Sequence, residues 1–390
     1  MYRQTAIVGI GHTDYSRNSG RTELVLALDA IIAALKDANI APEEVDGIVR
    51  YAYDNVTQAA LVRALGIKDL RWYSDIPFGG IAQCGTIAQA AAAIVSGIAE
   101  TVIVFRSLNE RSGVRYGRAE RSIGTNDDLV QAAGGRIPAG QFAGPYGLLA
   151  PGQVHALWAR RYIHEAGLDD EIATSVFARV AIDQRRYANN NPHAMMKSKA
   201  LDTDTYMAGR MISEPLRLYD YCLETDGAAA LVITSAERAR ALRPDPVYIL
   251  AAHQCLFPYS EPLPVYPALA NFGAPGNIRK LYEDARLQPE DISVAELYDV
   301  TTFGIVYGLE TYGFAPFREG WRHVHEQGIG LDSAIPVNTH GGHLSEAYIH
   351  GMNHLVEAVR QLRGTAPNQV RGAETALVGC AGSSSAILAR

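Results

Sequence analysis

Short apolar runs alternate along this chain with longer stretches of helical periodicity. Residues 5–11, TAIVGIG, form an unbroken apolar run, which predicts a buried strand. Residues 21–40 repeat apolar side chains at i, i+3 and i+4, which predicts an amphipathic helix. Two further apolar runs, at 45–51 and 100–105, predict strands on either side of a helix that ends at Gly97. Strands that alternate with helices in this way are typical of α/β proteins with buried sheets.

The second half of the chain repeats the order of elements in the first. Residues 37–49, DANIAPEEVDGIV, match residues 284–297, DARLQPEDISVAEL, because each pattern holds a helix end, a proline, two acidic residues and a strand. Downstream, a Gly-Gly pair at 79–80 and another at 341–342 each precede a helix and then a strand. A long internal repeat of this kind indicates a duplicated α/β unit.

The repeat divides the chain into two predicted domains. The first, residues 1–240, carries an insertion at about 107–215 that is rich in Gly, Arg, Tyr and Asn and predicts loops and helices over the core. The second spans residues 241–390, where the Gly-Gly pair predicts one helix over 343–363 with Tyr348 on its first turns.

The composition narrows the range of functions. The chain has 390 residues, of which 48% are hydrophobic, and a net charge of −7 with acidic and basic residues interspersed, which disfavours a nucleic-acid-binding surface. The four cysteines lack CxxC spacing, which disfavours a structural zinc site or a disulfide framework. Because no run of about 20 apolar residues and no signal-peptide pattern is present, we expect a soluble, cytoplasmic protein.

Titratable side chains crowd the region after the second Gly-Gly pair. The segment THGGHLSEAYIHGMNH places Tyr348 among His340, His343, His350 and His354. Pairs of these histidines have spacings that suit metal ligands, but no glutamate completes a His-Glu-x-x-His pattern. The sequence therefore predicts no metal site here. We expect the histidines to tune the tyrosine or to contact a developing negative charge.

Several segments resemble the thiolase superfamily. DYCLETDGAAALVITS closes the first half, GGHLSEAYIHG precedes QLRG in the second, and CAGSSSAI lies near the end. The resemblance covers essentially the whole chain. It implies the thiolase fold, an α/β architecture of two βαβαβαββ halves in five αβαβα layers, with the large insertion in the first half.

The chain departs from thiolases at their catalytic positions. The nucleophilic cysteine of thiolases corresponds to about Gly80, and Cys84 lies one helical turn further on. Tyr348 stands where thiolases have the histidine of a Gly-His-Pro step, and Tyr298, after Glu296, replaces a second active-site histidine. Two tyrosines in place of two histidines resemble the steroid side-chain aldolases of the lipid-transfer-protein group, in which tyrosines at these places are the proposed catalytic residues.

This resemblance implies a carbon–carbon lyase of steroid side-chain degradation, in the catabolism of cholesterol or bile acids. Enzymes of the group cleave a 17-hydroxy steroid with a C22 β-hydroxyacyl-CoA side chain into a 17-ketosteroid and propionyl-CoA. No bound cofactor is implied, because CoA is part of substrate and product and any zinc would belong to the partner protein.

The resemblance also implies how the protein assembles. We expect a homodimer formed through sheet edges and helices of the first half. The implied partner is a protein with a DUF35 domain of OB fold, fused to or paired with a MaoC-like hydratase, in an α2β2-type complex.

Retro-aldol cleavage needs a base for the β-hydroxyl proton, a group that stabilises the thioester enolate, and an acid for the α-carbon. Tyr298 and Tyr348 are predicted to be the acid–base pair, with the role of each left open. The N–H groups at the start of the 343–363 helix are predicted to face the enolate. Arg111 and Arg115 are candidates for contact with the CoA phosphates. The following residues are candidates for supporting or pocket positions: Glu296, His340, His343, His350, Cys84 and Cys380.

Two other functions are compatible with the residues alone. A β-ketoacyl-CoA thiolase for a branched or aromatic substrate would use Cys84 or Cys380 as its nucleophile. A non-catalytic module that binds acyl-CoA or a sterol would need neither tyrosine for turnover.

Overall fold

The fold is built on one large mixed β-sheet with helices on its faces. The structure is a computed structural model, and it describes residues 2–76, 83–113, 115, 144–255, 275–380 and 383–390. The strands are β1 (Thr5–His12), β2 (Gly47–Tyr51), β3 (Trp72–Ile76), β4 (Thr101–Asn109), β5 (Met211–Ser213), β6 (Leu216–Arg217), β7 (Asp226–Ser235), β8 (Val247–Gln254), β9 (Val294–Leu297), β10 (Thr375–Cys380) and β11 (Ser384–Ala389).

The α-helices of the described ranges follow the predicted alternation with strands. They are α1 (Glu23–Ala38), α2 (Gln58–Leu65), α3 (Gln83–Val95), α4 (Pro151–Ala166), α5 (Asp170–Asn190), α6 (Thr203–Ala208), α7 (Ala236–Leu242), α8 (Pro275–Ala285), α9 (Thr302–Thr311), α10 (Gly320–Gln327), α11 (Gly342–Ser345) and α12 (Met352–Arg363). None of the helices in these ranges is long and apolar enough to cross a lipid bilayer.

Nine strands form the main sheet, in the order β3-β2-β4-β7-β1-β8-β11-β10-β9. This order is symmetric about the antiparallel contact of β1 with β8, so that β7 matches β11, β4 matches β10 and β2 matches β9. β2 pairs in parallel with β4, as β9 does with β10. A parallel bridge from Ala295 to Val337 stands where β3 stands in the first half. The symmetric order confirms the predicted duplication.

The two copies also match in local geometry. Asn39 and Arg286 follow the ends of α1 and α8 in the left-handed conformation, with φ of 54° and 57°. A short 3-10 turn follows each, at Pro42–Glu44 and at Pro289–Asp291. A strand comes next in both halves, β2 in one and β9 in the other. The sequence match between 37–49 and 284–297 therefore reports a real structural repeat.

Two central helices join the halves. Helix α3 packs against β2, β4 and β7 of the first half and against β8 and β11 of the second. Helix α12 likewise contacts β1 and β7 on one side and β9 and β10 on the other. Helix α1 covers β1, β4 and β7 from outside, and α8 covers β8 and β11. The two halves of the one sheet therefore lie on either side of α3 and α12, which gives the layer order α, β, α, β, α that the resemblance implies.

Close packing of α1 on β1 explains two glycines of the first apolar run. A Cβ atom on Gly9 would lie 2.0 Å from the carbonyl oxygen of Ala34, and one on Gly11 would lie 2.2 Å from that of Ala30. Any larger side chain at either position would push the helix away from the sheet. At the start of α1, the Thr22 hydroxyl accepts the N–H of Val25 and so caps the helix.

The predicted insertion is described in part. Residues 114 and 116–143 lie outside the described ranges, and the rest of it holds helices α4 to α6 and the β5–β6 hairpin. The proposed division into residues 1–240 and 241–390 falls inside α7, near its C-terminal end. That division stays a prediction.

Candidate active site

Two tyrosines from different elements meet at the edge of the second-half sheet. Tyr298 directly follows β9, and its N–H donates to the carbonyl of Gly379 in β10 at 2.9 Å. Tyr348 lies between α11 and α12, and its N–H donates to the hydroxyl oxygen of Thr225 at 3.0 Å. The hydroxyl oxygens of Tyr298 and Tyr348 are 2.8 Å apart, which is a hydrogen bond. The structure thus brings together the two residues that the sequence selected.

The single helix predicted over 343–363 is wrong. Helix α11 ends at Ser345 and α12 begins at Met352. Between them, His350 and Gly351 have φ of 48° and 80°, a left-handed geometry that cannot continue an α-helix. A Cβ on Gly351 would also lie 2.8 Å from the Gln83 side chain. Tyr348 therefore projects from a short loop.

The helix start has a different partner from the predicted enolate. The N–H groups of His343 and Leu344 donate to the two carboxylate oxygens of Asp299, at 3.1 and 3.3 Å. The predicted contact between this helix start and an enolate is therefore wrong, because its N–H groups already have an acceptor.

A stack of histidines lies behind the tyrosines. The His343 and His354 rings stack with centroids 4.1 Å apart, and the rings of Tyr298 and Tyr348 meet the His343 ring edge-on at 4.7 and 4.9 Å. One oxygen of Asp299 lies 3.1 Å from His343 Nδ1 and 3.1 Å from His354 Nε2. Burial alone would raise the pKa of Asp299, but the two histidines hold that pKa well below its usual range.

The protonation of His343 follows from its contacts. The N–H of Gly351 donates to His343 Nε2 at 3.2 Å, so the ring proton of the neutral imidazole belongs on Nδ1, facing Asp299. Burial, with His354 next to it, lowers the pKa of His343 to about 4. Although burial works against it, Asp299 raises the pKa of His354. His343 is thus a neutral ring against which both tyrosines pack.

The two phenols differ in their electrostatic surroundings. Burial raises the pKa of Tyr298 well above 10, and Tyr348 adds to that rise. Burial also raises the pKa of Tyr348, but its hydrogen bond with Tyr298 and the charge of Arg106 oppose the rise. Of the pair, Tyr348 is the one for which a hydrogen bond and an arginine charge act against the rise in pKa.

A cavity of about 710 Å³ reaches Tyr348. Arg111 and Arg115 line it, and Arg115 donates through Nε to the Glu224 carboxylate at 2.8 Å. Arg111 Nε lies 3.7 Å from the same carboxylate. One glutamate thus faces two arginines, which leaves an excess of positive charge on this wall. Other lining residues include Glu110, Met195, Met196, Lys199, Cys222 and Leu344.

The predicted supporting residues Glu296 and His340 lie deeper, behind the histidine stack. Both are fully buried, with His340 Nδ1 3.0 Å from a Glu296 oxygen, and neither is among the described residues that line the cavity. Burial lowers the pKa of His340 to about 4 and raises that of Glu296 to about 8. These two residues therefore act on the tyrosines only through other side chains.

Two trios of potential metal ligands overlap in this region. Glu296, His340 and His354 form one, and Asp299, His343 and His354 form the other, with the ligand atoms of each trio within 4.8 Å of one another. His354 Nε2 also lies 3.0 Å from the carbonyl oxygen of Leu297. The sequence-based expectation of a metal-free site stays a prediction.

The cysteines occupy positions that suit packing. Cys84 is fully buried in α3, and its thiol donates to the carbonyl of Val378 at 3.3 Å. Burial raises the pKa of Cys84 well above its usual range and that of Cys380 to about 12. Neither sulfur belongs to a described residue that lines the cavity. The position that matches the thiolase nucleophile, Gly80, lies outside the described residues.

Sequence reasoning missed three residues near Tyr348. Glu110 and Cys222 line the cavity, and Arg106 is a buried arginine in β4 whose Nε donates to His350 Nδ1 at 2.9 Å. Glu110 belongs to the arginine-rich segment that suggested Arg111 and Arg115, so its position offered a signal. Arg106 gave a weaker signal, because it is the single charged residue in a strand that is otherwise buried except at its last position.

Comparison with known proteins extends the picture. Residues 268–388 match the family model described as Thiolase C-terminal domain-like. The chain is 42% identical to the 17-hydroxy-3-oxo-4-pregnene-20-carboxyl-CoA lyase of Mycobacterium tuberculosis, over 96% of this chain and 95% of that protein. It is 40% identical to the steroid side-chain-cleaving aldolase of Thermomonospora curvata, over 93% and 91% of the two chains. The solved Ltp2-ChsH2(DUF35) aldolase superposes with a TM-score of 0.89 and 38% identity, over 100% of this chain and 98% of that one. The chain therefore belongs to the steroid side-chain-cleaving aldolases of the thiolase fold.

Proposed function

We propose that this chain cleaves a 17-hydroxy steroid whose C22 side chain is a β-hydroxyacyl-CoA thioester, by a retro-aldol reaction that yields a 17-ketosteroid and propionyl-CoA. The observation that carries the proposal is the 2.8 Å contact between the hydroxyls of Tyr298 and Tyr348, with Tyr348 on the wall of the cavity. The name of the Mycobacterium tuberculosis relative describes a substrate of the same class.

The tyrosine pair supplies the proton transfers that the reaction needs. A hydroxyl proton of the substrate passes to the pair as the bond between the α- and β-carbons breaks, and the β-carbon becomes a ketone. The electron pair of that bond moves into the thioester enolate, which takes a proton at its α-carbon. One proton is taken up and one is returned, so no acyl group binds the enzyme and no nucleophilic cysteine is required.

The cavity supplies charge for the substrate's phosphates and apolar surface for its rings. Arg111, Arg115 and Lys199 bring positive charge to the walls, which suits the phosphates of CoA. Met195, Met196 and Leu344 bring apolar surface to the same walls, against which a fused ring system would lose its contact with water. The volume of about 710 Å³ falls in the range of small-molecule sites.

The thiolase alternative lacks support from the cysteines. Thiolysis needs a thiolate within reach of the thioester. Cys84 and Cys380 are buried thiols with raised pKa values, and neither lines the described part of the cavity. The binding-module alternative leaves the tyrosine contact without a purpose.

We infer the protein partner of this chain from its structural relative. That relative is titled as an aldolase with a DUF35 component, and we extend the partner to this chain as part of the proposal. We expect a cytoplasmic homodimer of this chain with two DUF35 subunits, each fused to or paired with a hydratase. Light scattering after co-expression with a DUF35 protein tests the stoichiometry, and elution of the two proteins as separate species would contradict it.

The reaction itself is tested with a matched pair of substrates. The co-expressed complex receives the 17-hydroxy C22 acyl-CoA or its 17-deoxy analogue, and products are measured by mass spectrometry. We expect a 17-ketosteroid and propionyl-CoA from the first compound and no cleavage of the second, because the analogue lacks the proton that the base removes. Equal cleavage of both compounds, or of neither, would show that the proposed reaction is wrong.

A further inference from the structure

We infer that Arg106 is a positioning residue for this reaction, which fixes His350 in one tautomer and supplies the positive charge that favours the phenolate of Tyr348. Arg106 is not among the described residues that line the cavity, so it acts through His350 and through its electric field. The inference rests on the proposed function, because it gives Tyr348 the role of base.

The contacts of Arg106 hold its guanidinium in a fixed position. Its side chain is 1% exposed, and its Nε donates to His350 Nδ1 at 2.9 Å. Its Nη1 lies 3.1 Å from an Asp54 oxygen and donates to the carbonyl of Ser107 at 3.0 Å. The hydroxyl of Tyr51 donates to the backbone carbonyl of His350 at 2.9 Å. Arg106 and His350 are therefore held in one relative orientation by both halves of the chain.

Asp54 keeps the guanidinium in place. Its side chain is fully buried, and its two oxygens accept the N–H groups of Val56 and Ser107, each at 2.9 Å. Burial raises the pKa of Asp54, and the charge of Arg106 opposes that rise. Asp54 and Arg106 thus stabilise each other's charge inside the protein. Both lie more than 240 positions before His350 in the chain.

Stability alone is a weak reason to keep such a pair. Two charges lose their hydration on burial, and a buried ion pair can often be replaced by apolar residues without loss of stability. Its position suggests a chemical reason. The ring of His350, which Arg106 holds, meets the ring of Tyr348 edge-on with centroids 5.0 Å apart.

The hydrogen bond from Arg106 determines which tautomer His350 adopts. Because Nδ1 accepts a hydrogen bond, the proton of the neutral ring must be on Nε2. Burial and the charge of Arg106 lower the pKa of His350 well below its usual range, so the ring stays neutral. The positive charge next to Tyr348 therefore belongs permanently to the guanidinium, which does not titrate in the working range of pH.

Tyr348 is faced by groups of both signs. Burial raises its pKa, and Cys222 and Glu110 add to that rise when they ionise. The hydrogen bond with Tyr298 and the charge of Arg106 lower it, and the neutral rings of His343 and His350 pack against it. Among these groups Arg106 carries the positive charge. In a buried site of low polarity, such a charge favours a phenolate over a phenol.

The test compares pH profiles of kcat/KM for the full chain in complex with its DUF35 partner. In Arg106→Met, we expect the rising limb to move up by about one pH unit, and kcat at neutral pH to fall about tenfold with little change in KM. In Asp54→Asn the field of Arg106 is no longer partly cancelled, so the limb should move to lower pH. Arg106→Lys keeps the charge but not the Nε donor, so the limb should stay near its wild-type position.

Opposite shifts from the two partners of one ion pair distinguish an electrostatic role from loss of structure. If Arg106→Met and Asp54→Asn both lower stability and leave the limb where it is, the residues are merely structural and the inference is wrong. Should Arg106→Met fail to fold, the Asp54→Asn and Arg106→Lys profiles decide the same question.

The tautomer of His350 gives a readout that does not need turnover. We expect ¹⁵N NMR of histidine-labelled protein to show His350 protonated on Nε2 in the wild type and a mixed or reversed tautomer in Arg106→Met. An unchanged tautomer would overturn the inference. If the wild-type complex cleaves no substrate but the tautomer responds, the proposed function fails while the positioning by Arg106 stands.

Discussion

Replacing Tyr298 and Tyr348 with phenylalanine, singly and together, tests whether the two hydroxyls act as one unit. They are 2.8 Å apart and come from positions 50 residues apart in the chain. If each hydroxyl takes part in general acid–base catalysis, each single variant should lose about 10²- to 10⁴-fold in kcat. Independent roles would multiply these losses to about 10⁴- to 10⁸-fold in the double variant. A shared proton path predicts a double variant within about tenfold of the weaker single one.

The same substitutions have a cost in stability that the structure bounds. Each single variant leaves the other, partly buried hydroxyl without its partner, which costs at most about 1–3 kcal/mol of unfolding free energy. Tyr187→Phe is the control, since Tyr187 is buried and its hydroxyl donates to the carbonyl of Ile329 at 3.0 Å. We expect a similar loss of stability in the control and an unchanged kcat.

Two measurements are needed on each variant: product formation by liquid chromatography with mass spectrometry, and unfolding in denaturant. A Tyr348→Phe enzyme that keeps kcat within a few-fold of wild type would refute the role of the pair. So would a control that loses as much activity as the tyrosine variants, because the loss would then report general destabilisation.

Three further outcomes follow from the same geometry. Burial, with Glu224 next to it, raises the pKa of Glu110 from 4.5 to about 8, so the folded protein keeps this proton between those pH values and loses stability as pH rises through them. In thermal unfolding at pH 5 and pH 9, Glu110→Gln should therefore gain stability relative to wild type at the higher pH. An equal difference in stability at both pH values would contradict this. Cys84→Ala and Cys380→Ala should keep CoA-independent cleavage, and brief treatment of the wild type with iodoacetamide should leave that activity intact. Inactivation by iodoacetamide at the rate at which either thiol is modified would instead indicate a nucleophilic role for that cysteine. Dialysis against a chelator should not change kcat of the isolated chain, and elemental analysis should find no stoichiometric metal; a loss of activity restored by one divalent ion would assign that ion to the trios around His354.

The fold was predictable to the extent that it is encoded locally. The strand at 5–11 and the helix at 21–40 were recovered as β1 and α1, because burial of both faces of a strand leaves an apolar run and burial of one face of a helix leaves a periodic pattern. The duplication was equally visible, since the turn at Pro42–Glu44 and its copy at Pro289–Asp291 need similar residues to form the same geometry.

The break in the helix after the second Gly-Gly pair was not predictable from periodicity. Residues 343–363 keep an apolar spacing that suits a helix, but His350 adopts a positive φ because Arg106 and Tyr51 hold it from the other half of the chain. Contacts made over such separations override local preference, and a single sequence does not record them.

The tyrosine pair of the candidate site was predictable because the chain departs there from the thiolase pattern. Tyr298 and Tyr348 stood out because they replace histidines at matched places, whereas Arg106 and Asp54 sit in unremarkable strand and turn segments. These two charges form a buried ion pair only in the folded chain, so local sequence patterns do not reveal it.

The most direct test of the central proposal combines intact-protein mass with product analysis after a single turnover without free CoA. The enzyme complex is mixed with a substoichiometric amount of the 17-hydroxy C22 acyl-CoA and quenched at short times. We expect unmodified protein throughout, with 17-ketosteroid and propionyl-CoA appearing in equal amounts. An acyl adduct on Cys84 or Cys380, released as product only when CoA is added, would contradict the retro-aldol proposal and make the protein a thiolase.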